Sequence, residues 1–161
     1  MNVTIDLMNA CSGSAPPDTV DFRHWTEAAL RAAGSPRANG NPVVSIRIVD
    51  ETESAELNQA WRHKQGPTNV LSFPCEGFPE TDMDLLGDLA ICAPLVEQEA
   101  AQQQKPALAH WAHLTVHGVL HLNGYDHEQA ADAQAMESLE ISILASLGYP
   151  NPYLQEAAGD E

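Results

Sequence analysis

Five of the chain's seven histidines, His110, His113, His117, His121 and His127, crowd into one short stretch. This cluster constrains the fold more than any other feature. His113, His117 and His121 recur at every fourth position within Ala107–Leu122, an apolar segment with helical periodicity, so they share one helical face. They span about 12 Å of helix axis at roughly 1.5 Å per residue. Zinc–nitrogen bonds are only about 2.0–2.1 Å long, so one ion can take two neighbouring histidines but not all three. A third ligand therefore requires a chain reversal. Asn123-Gly124 supplies one, because Gly124 can adopt the left-handed conformation that ends a helix. The chain then returns through Tyr125 and Asp126 to His127.

His117, His121 and His127 thus form the pattern H-x-x-x-H-x-x-G-x-x-H. A lone H-x-x-x-H pair on an alanine-rich helix is ordinarily a pair of surface or core histidines. The glycine stop and third histidine turn the pattern into a metal site with three imidazoles and an open fourth position. At such a position zinc lowers the pKa of a bound water to about 7. Imidazole ligation also suits nickel or copper, and zinc is favoured because the motif holds no redox partner. His113 is the spare: it contacts substrate, orients a ligand or faces solvent.

Alternation of Val3, Ile5 and Leu7 with polar neighbours predicts a strand over 1–7. Helices are expected over 18–33, 52–64, 94–104, 107–122 and 129–147, and strands over 43–49, 69–73 and 85–92. Glycine and proline mark most of the stops. Gly87 and Asp88 interrupt the last strand, and residues 75–84 form an acidic loop. Strands gather in the first half and long helices in the second. The fold class is therefore α+β: a single domain with one small mixed sheet packed by helices. The metal site lies on a helix of the C-terminal half and the following turn, as in zincins. A length of 161 residues suits one domain over 1–150, with an acidic flexible tail over 151–161.

Seven Lys and Arg stand against 23 Asp and Glu, a formal charge of -16. A general nucleic-acid coat or a membrane-surface binder needs a basic face, so both are excluded; a nuclease with a small positive site is not. No apolar run approaches a membrane span, and the N-terminus lacks the pattern of a secretory signal. Cys11, Cys75 and Cys92 form no C-x-x-C pair, which fits a cytoplasmic protein with reduced thiols.

The same histidine spacing occurs in metzincin proteases, whose H-E-x-x-H places a glutamate base after the first histidine. Here that position is Gly118, which cannot accept a proton, and Glu128 is the nearest substitute by sequence. This glycine opposes the protease alternative.

The run His117-Gly118-Val119-Leu120-His121-Leu122-Asn123-Gly124-Tyr125-Asp126-His127 closely resembles the YbeY family of bacterial endoribonucleases, also called rRNA maturation factors. The block from Trp61-Arg62-His63-Lys64 to Pro67-Thr68-Asn69-Val70-Leu71-Ser72-Phe73-Pro74 also resembles that family, as does Leu86-Gly87-Asp88-Leu89-Ala90-Ile91-Cys92. The likeness runs from about Val43 to Leu147. It implies one zinc held by His117, His121 and His127. It also implies cleavage of single-stranded RNA, maturation of 16S rRNA 3′ ends, ribosome quality control and contact with a small-subunit ribosomal protein. A non-catalytic ribosome assembly factor with a structural zinc is the other alternative. The family's motif arginine falls on Arg62. The family commonly has Lys-Asp before Pro-Thr-Asn, whereas this chain has Lys64-Gln65-Gly66.

Phosphodiester cleavage builds negative charge at phosphorus, which a guanidinium can clamp at two oxygens. Arg62 is the candidate, assisted by Lys64 and His113. Either a metal-bound hydroxide or the ribose 2′-hydroxyl would serve as the attacking group. Sparse positive charge predicts weak RNA binding by the isolated chain, with rRNA context or a partner delivering substrate. Asp126 is either a carboxylate orienting a ligand or a turn residue, and Glu128 starts the last helix. Asn69 and Ser72 either contact substrate backbone or end a strand. Asp88 takes no catalytic role, Trp61 is expected in the core, and Cys75 and Cys92 become ligands only if the fold brings them to the histidines.

Overall fold

The computed structural model describes residues 2–35, 40–75, 85–125 and 130–153. Among them the chain forms β1 (Thr4–Asn9), α1 (Thr19–Ala32), β2 (Val43–Val49), α2 (Glu51–Arg62), β3 (Val70–Pro74), β4 (Leu85–Cys92), α3 (Ala93–Gln102), α4 (Ala107–Leu122) and α5 (Ala130–Ser146). The expected α+β class and mixed sheet are both present. The strands lie in the order β1-β2-β4-β3. The β1–β2 and β2–β4 pairs are parallel, and β3 runs antiparallel to β4. Strand β3 is therefore an edge of the sheet, with β4 as its partner.

Alternation assigns the two faces. Val44, Ile46 and Ile48 of β2 and Leu89 and Ile91 of β4 are buried in the core with Phe22 and Trp25 of α1 and Trp111, Val116 and Leu120 of α4. On the other face, Arg47 of β2 bonds Glu53 of α2 at 2.6 Å. Helices α1 and α4 thus cover one face and α2 the other. Asp18 and Asp50 start α1 and α2, accepting hydrogen bonds from Asp21 N at 3.0 Å and Glu53 N at 2.8 Å.

Two boundaries carry physical information. Helix α2 ends at Arg62 rather than at the expected Lys64, because His63 turns left-handed at φ 60° and the Lys64 amide donates back to Asn58 O. This cap swings residues 63–68 around the β3 edge. Gly87, expected only to interrupt its strand, has φ 153° and lies opposite Pro74. A Cβ there would sit 2.6 Å from the Phe73 carbonyl oxygen, so glycine is what allows β3 to close on β4. Of the loop expected over 75–84, residues 76–84 lie outside the described residues, as do those beyond 153. No described helix is long and apolar enough to cross a membrane.

Candidate active site

Helix α4 is buried along nearly its whole length, and His113, His117 and His121 form its half-buried stripe. Its close seating on the sheet explains where that stripe points. Gly118 faces β4, where an added Cβ would lie 2.8 Å from Leu89 Cδ2. Ser72 of β3 donates its hydroxyl to Gly118 O at 3.2 Å. With Gly118 against the sheet, its neighbour His117 turns toward the β3 edge beside His121.

The Nε2 atoms of His117 and His121 lie 3.2 Å apart. Two nitrogens on one tetrahedral zinc, each about 2.0–2.1 Å away, would be roughly 3.3 Å apart, so the pair suits a shared ion. His117 Nδ1 donates to Glu140 Oε2 at 2.5 Å. That bond fixes the tautomer and leaves the lone pair on Nε2, the atom that faces His121. His127, the expected third ligand, lies outside the described residues, as do Asp126 and Glu128. Among the described residues, no group of three His, Cys, Asp or Glu converges on a metal position.

Glu140 comes from α5 and is fully buried. Besides His117 it accepts from His113 Nε2 at 3.1 Å and from the Tyr153 hydroxyl. Burial alone would raise its carboxyl pKa. The bonds from His113 and His117, the charge of His117 and the Tyr153 bond outweigh burial and bring it down to about 2. Tyr153 moves the other way, pushed up by burial and by its bond to the carboxylate. His113 thus sits behind the His117–His121 pair, braced on Glu140, rather than among the cleft-lining residues.

Arg62 and Lys64 arrive from the opposite direction, on the segment that wraps the β3 edge. With His117, His121, Thr68, Asn69, Val70, Ser72 and Pro74 they line one open cleft of about 300 Å³. The two cations singled out from sequence therefore meet the two histidines in one place. Asn69 Nδ2 donates to Glu99 Oε1 at 3.1 Å, and Glu99 pairs with His110 at 2.8 Å, so part of the cleft floor is anchored to α3 and α4. Asp88 lies on the other sheet face. Among the described residues, Cys75 and Cys92 join no metal cluster.

Sequence reasoning missed Glu140 and Tyr153. A signal for Glu140 exists: it shares its helical stripe with buried Met136, Ile143 and Leu144, and a carboxylate on a core stripe demands partners. Tyr153, at the start of the expected tail, carries no comparable mark. Trp61 is a correction. Expected in the core, it is 67% exposed, because the end of α2 overhangs the sheet.

A family model described as Endoribonuclease YbeY matches residues 11–148. The chain is 58% identical to an Endoribonuclease YbeY of Methylococcus capsulatus, over 92% of this chain and 95% of that one. It is 50% identical to that of Nitrosococcus oceani, over 95% and 98%, and 49% identical to that of Stutzerimonas stutzeri, over 96% and 94%. The solution structure of a Thermotoga maritima protein superposes with a TM-score of 0.54 at 24% identity, covering 98% of this chain and 100% of the other; it shares the fold.

Proposed function

Because the chain belongs to the YbeY endoribonuclease family, we propose that it is a zinc-dependent endoribonuclease of single-stranded RNA. It acts in the cytoplasm on the 3′ end of 16S rRNA and in ribosome quality control, with the small ribosomal subunit or one of its proteins as partner. The observation that carries this reading is the meeting of Arg62, Lys64, His117 and His121 in one cleft of a strongly acidic chain. Two of seven Lys and Arg fall where a phosphate would need them.

His117 and His121 fit a zinc ion by their Nε2 separation and by the Glu140 bond that keeps one of them unprotonated toward the site. By its spacing in the motif, His127 would be the third ligand. When bound, zinc supplies a Lewis acid at the phosphate. Arg62 clamps two non-bridging oxygens and holds the charge that grows on them. Lys64 holds the adjoining phosphate as a point charge. Glu140 orients His117 and braces His113, which acts here as a positioning residue. Position 118 faces Leu89, so a protease base could not stand there.

The test compares wild type with His121→Ala and Arg62→Ala, measuring zinc content by elemental analysis and cleavage of single-stranded rRNA fragments. The expected result is zinc lost in His121→Ala and cleavage lost in both, by roughly 10²–10³-fold for Arg62→Ala. Equal cleavage by all three would overturn the nuclease reading and leave an assembly factor.

A further inference from the structure

We propose that Trp61 is a stacking platform for a base of the bound strand, on the far side of the β3 edge from the histidines. The inference rests on the RNA reading of the cleft and extends it. Trp61 is 67% exposed, while Trp25 and Trp111 are 3% and 2% exposed. A single exposed apolar side chain is ordinary by itself; what distinguishes Trp61 is that it adjoins the cationic end of the cleft.

Its position says which partner. Trp61 packs edge-on against Phe73, with ring centroids 5.9 Å apart at 72°. Phe73 points to the α2 face of the sheet, opposite Ser72 and Pro74, which line the histidine cleft. The next residue, Arg62, lies in that cleft. Trp61 and Arg62 are consecutive in the chain but serve opposite faces of the sheet, so a strand with one phosphate at Arg62 has to cross the β3 edge to lay a neighbouring base on the indole. From Trp61 to Lys64 the surface alternates an exposed aromatic with exposed cations, the combination that holds single strands without reading sequence. On its Phe73 side the surface leads to a groove that includes Met8 and Leu57, but on its other side the exposed Arg62, His63 and Lys64 follow it, charge that suits a phosphate backbone rather than an apolar protein surface. The strand path therefore runs from His117 and His121, past Arg62 and over the β3 edge, to Trp61.

The experiment titrates the full chain with a short single-stranded RNA, 2′-O-methylated to block attack by the ribose hydroxyl. It follows tryptophan fluorescence and, independently, anisotropy of a dye on the RNA. With its other tryptophans buried, the chain's quenching reports on Trp61. Trp61→Ala is expected to abolish the quench and weaken binding roughly 5- to 150-fold, while Trp61→Tyr keeps most of the affinity. The difference between wild type and Trp61→Ala should vanish on an abasic strand, and the salt slope should stay unchanged because a stack releases no counterions. Equal RNA affinity of wild type and Trp61→Ala would overturn the platform and leave the RNA reading standing. No binding of single-stranded RNA by wild type at low salt would overturn both. Normal RNA binding by Trp61→Ala with lost binding to purified small ribosomal subunits would reassign Trp61 to a protein contact.

Discussion

Replacing Glu140 by glutamine tests the charge logic of the site without changing its shape. In the native chain two carboxylate oxygens accept from His113, His117 and Tyr153 at a position of 0% exposure. A carboxyl held at about 2 instead of its ordinary 4.5 corresponds to roughly 3 kcal/mol of preference for the ionised form in the folded state. The folded value is the lower one, so this stabilisation is complete above about pH 4.5 and disappears as the pH falls toward 2. Where the His117 ring is neutral the part owed to its charge is absent, and the hydrogen bonds from His113, His117 and Tyr153 carry the rest. Removing one partner of a buried pair costs a similar 3–5 kcal/mol. Glutamine retains one acceptor, so Glu140→Gln should lose roughly 2–3 kcal/mol, or about 5–10 °C in Tm for a chain of this size. Its amide also brings a donor where an acceptor stood. If that donor meets His117 Nδ1, the ring must carry its proton on Nε2, the atom aimed at His121. Zinc affinity should then fall about 10–100-fold. Urea unfolding of chelator-treated protein reads the first effect, and competition with a chromophoric chelator reads the second. A loss under about 1 kcal/mol, or unchanged zinc affinity in a folded variant, would refute the argument.

Three further outcomes follow from close contacts elsewhere. Gly87→Ala combines a φ of 153° with a Cβ 2.6 Å from the Phe73 carbonyl; it should cost roughly 2–4 kcal/mol in urea unfolding, and a neutral result would mean that the β3–β4 approach is looser than described. His110 is pushed down by burial, against its bond to Glu99, so it contributes stability above its unfolded value of about 6.5 and loses it as pH falls through the lower folded value. His110→Gln should therefore flatten the decline of stability between pH 7 and 5 by up to about 1.4 kcal/mol per pH unit, and identical slopes would contradict the assignment. Gly118→Glu, which restores the protease pattern, should give a poorly folded chain without peptidase activity, since Leu89 occupies the space; a folded, active peptidase would sink the reading.

Much of this architecture can be read from local pattern. Val44, Ile46 and Ile48 alternate with exposed or half-buried neighbours because one face of β2 lies in the core while the α2 face stays partly open, and the stripe of α4 histidines survives as half-buried because every other side of that helix is covered. Sheet order is less local. That β3 inserts antiparallel at the edge depends on the backbone approach at Gly87 and on Ser72 meeting Gly118 across 46 residues. The glycine was visible as a break in a strand, but a sequence does not say which carbonyl it makes room for. The end of α2 shows the same limit. Gly66-Pro67 announced a stop, yet His63 takes the left-handed cap, and this earlier turn is what brings Lys64 to the cleft that Arg62, the last residue of α2, also lines.

The site was legible to the extent that its members share one helix or one motif. His117 and His121 are a local pair, and four residues of helix suffice to bring their nitrogens together. Arg62 and Lys64 reach them only because β3 is an edge, so their role depends on topology. Glu140 depends on it further still, since α5 must cross α4 at the turn where both His113 and His117 face it. A charge on a buried stripe is the sequence's one trace of that crossing. Its consequence is chemical: the histidine ring presented to the cleft is set by a residue that never enters it. Substitutions on the hidden side of α5 should therefore change metal affinity before they change RNA contacts, and substitutions at Trp61 should do the reverse.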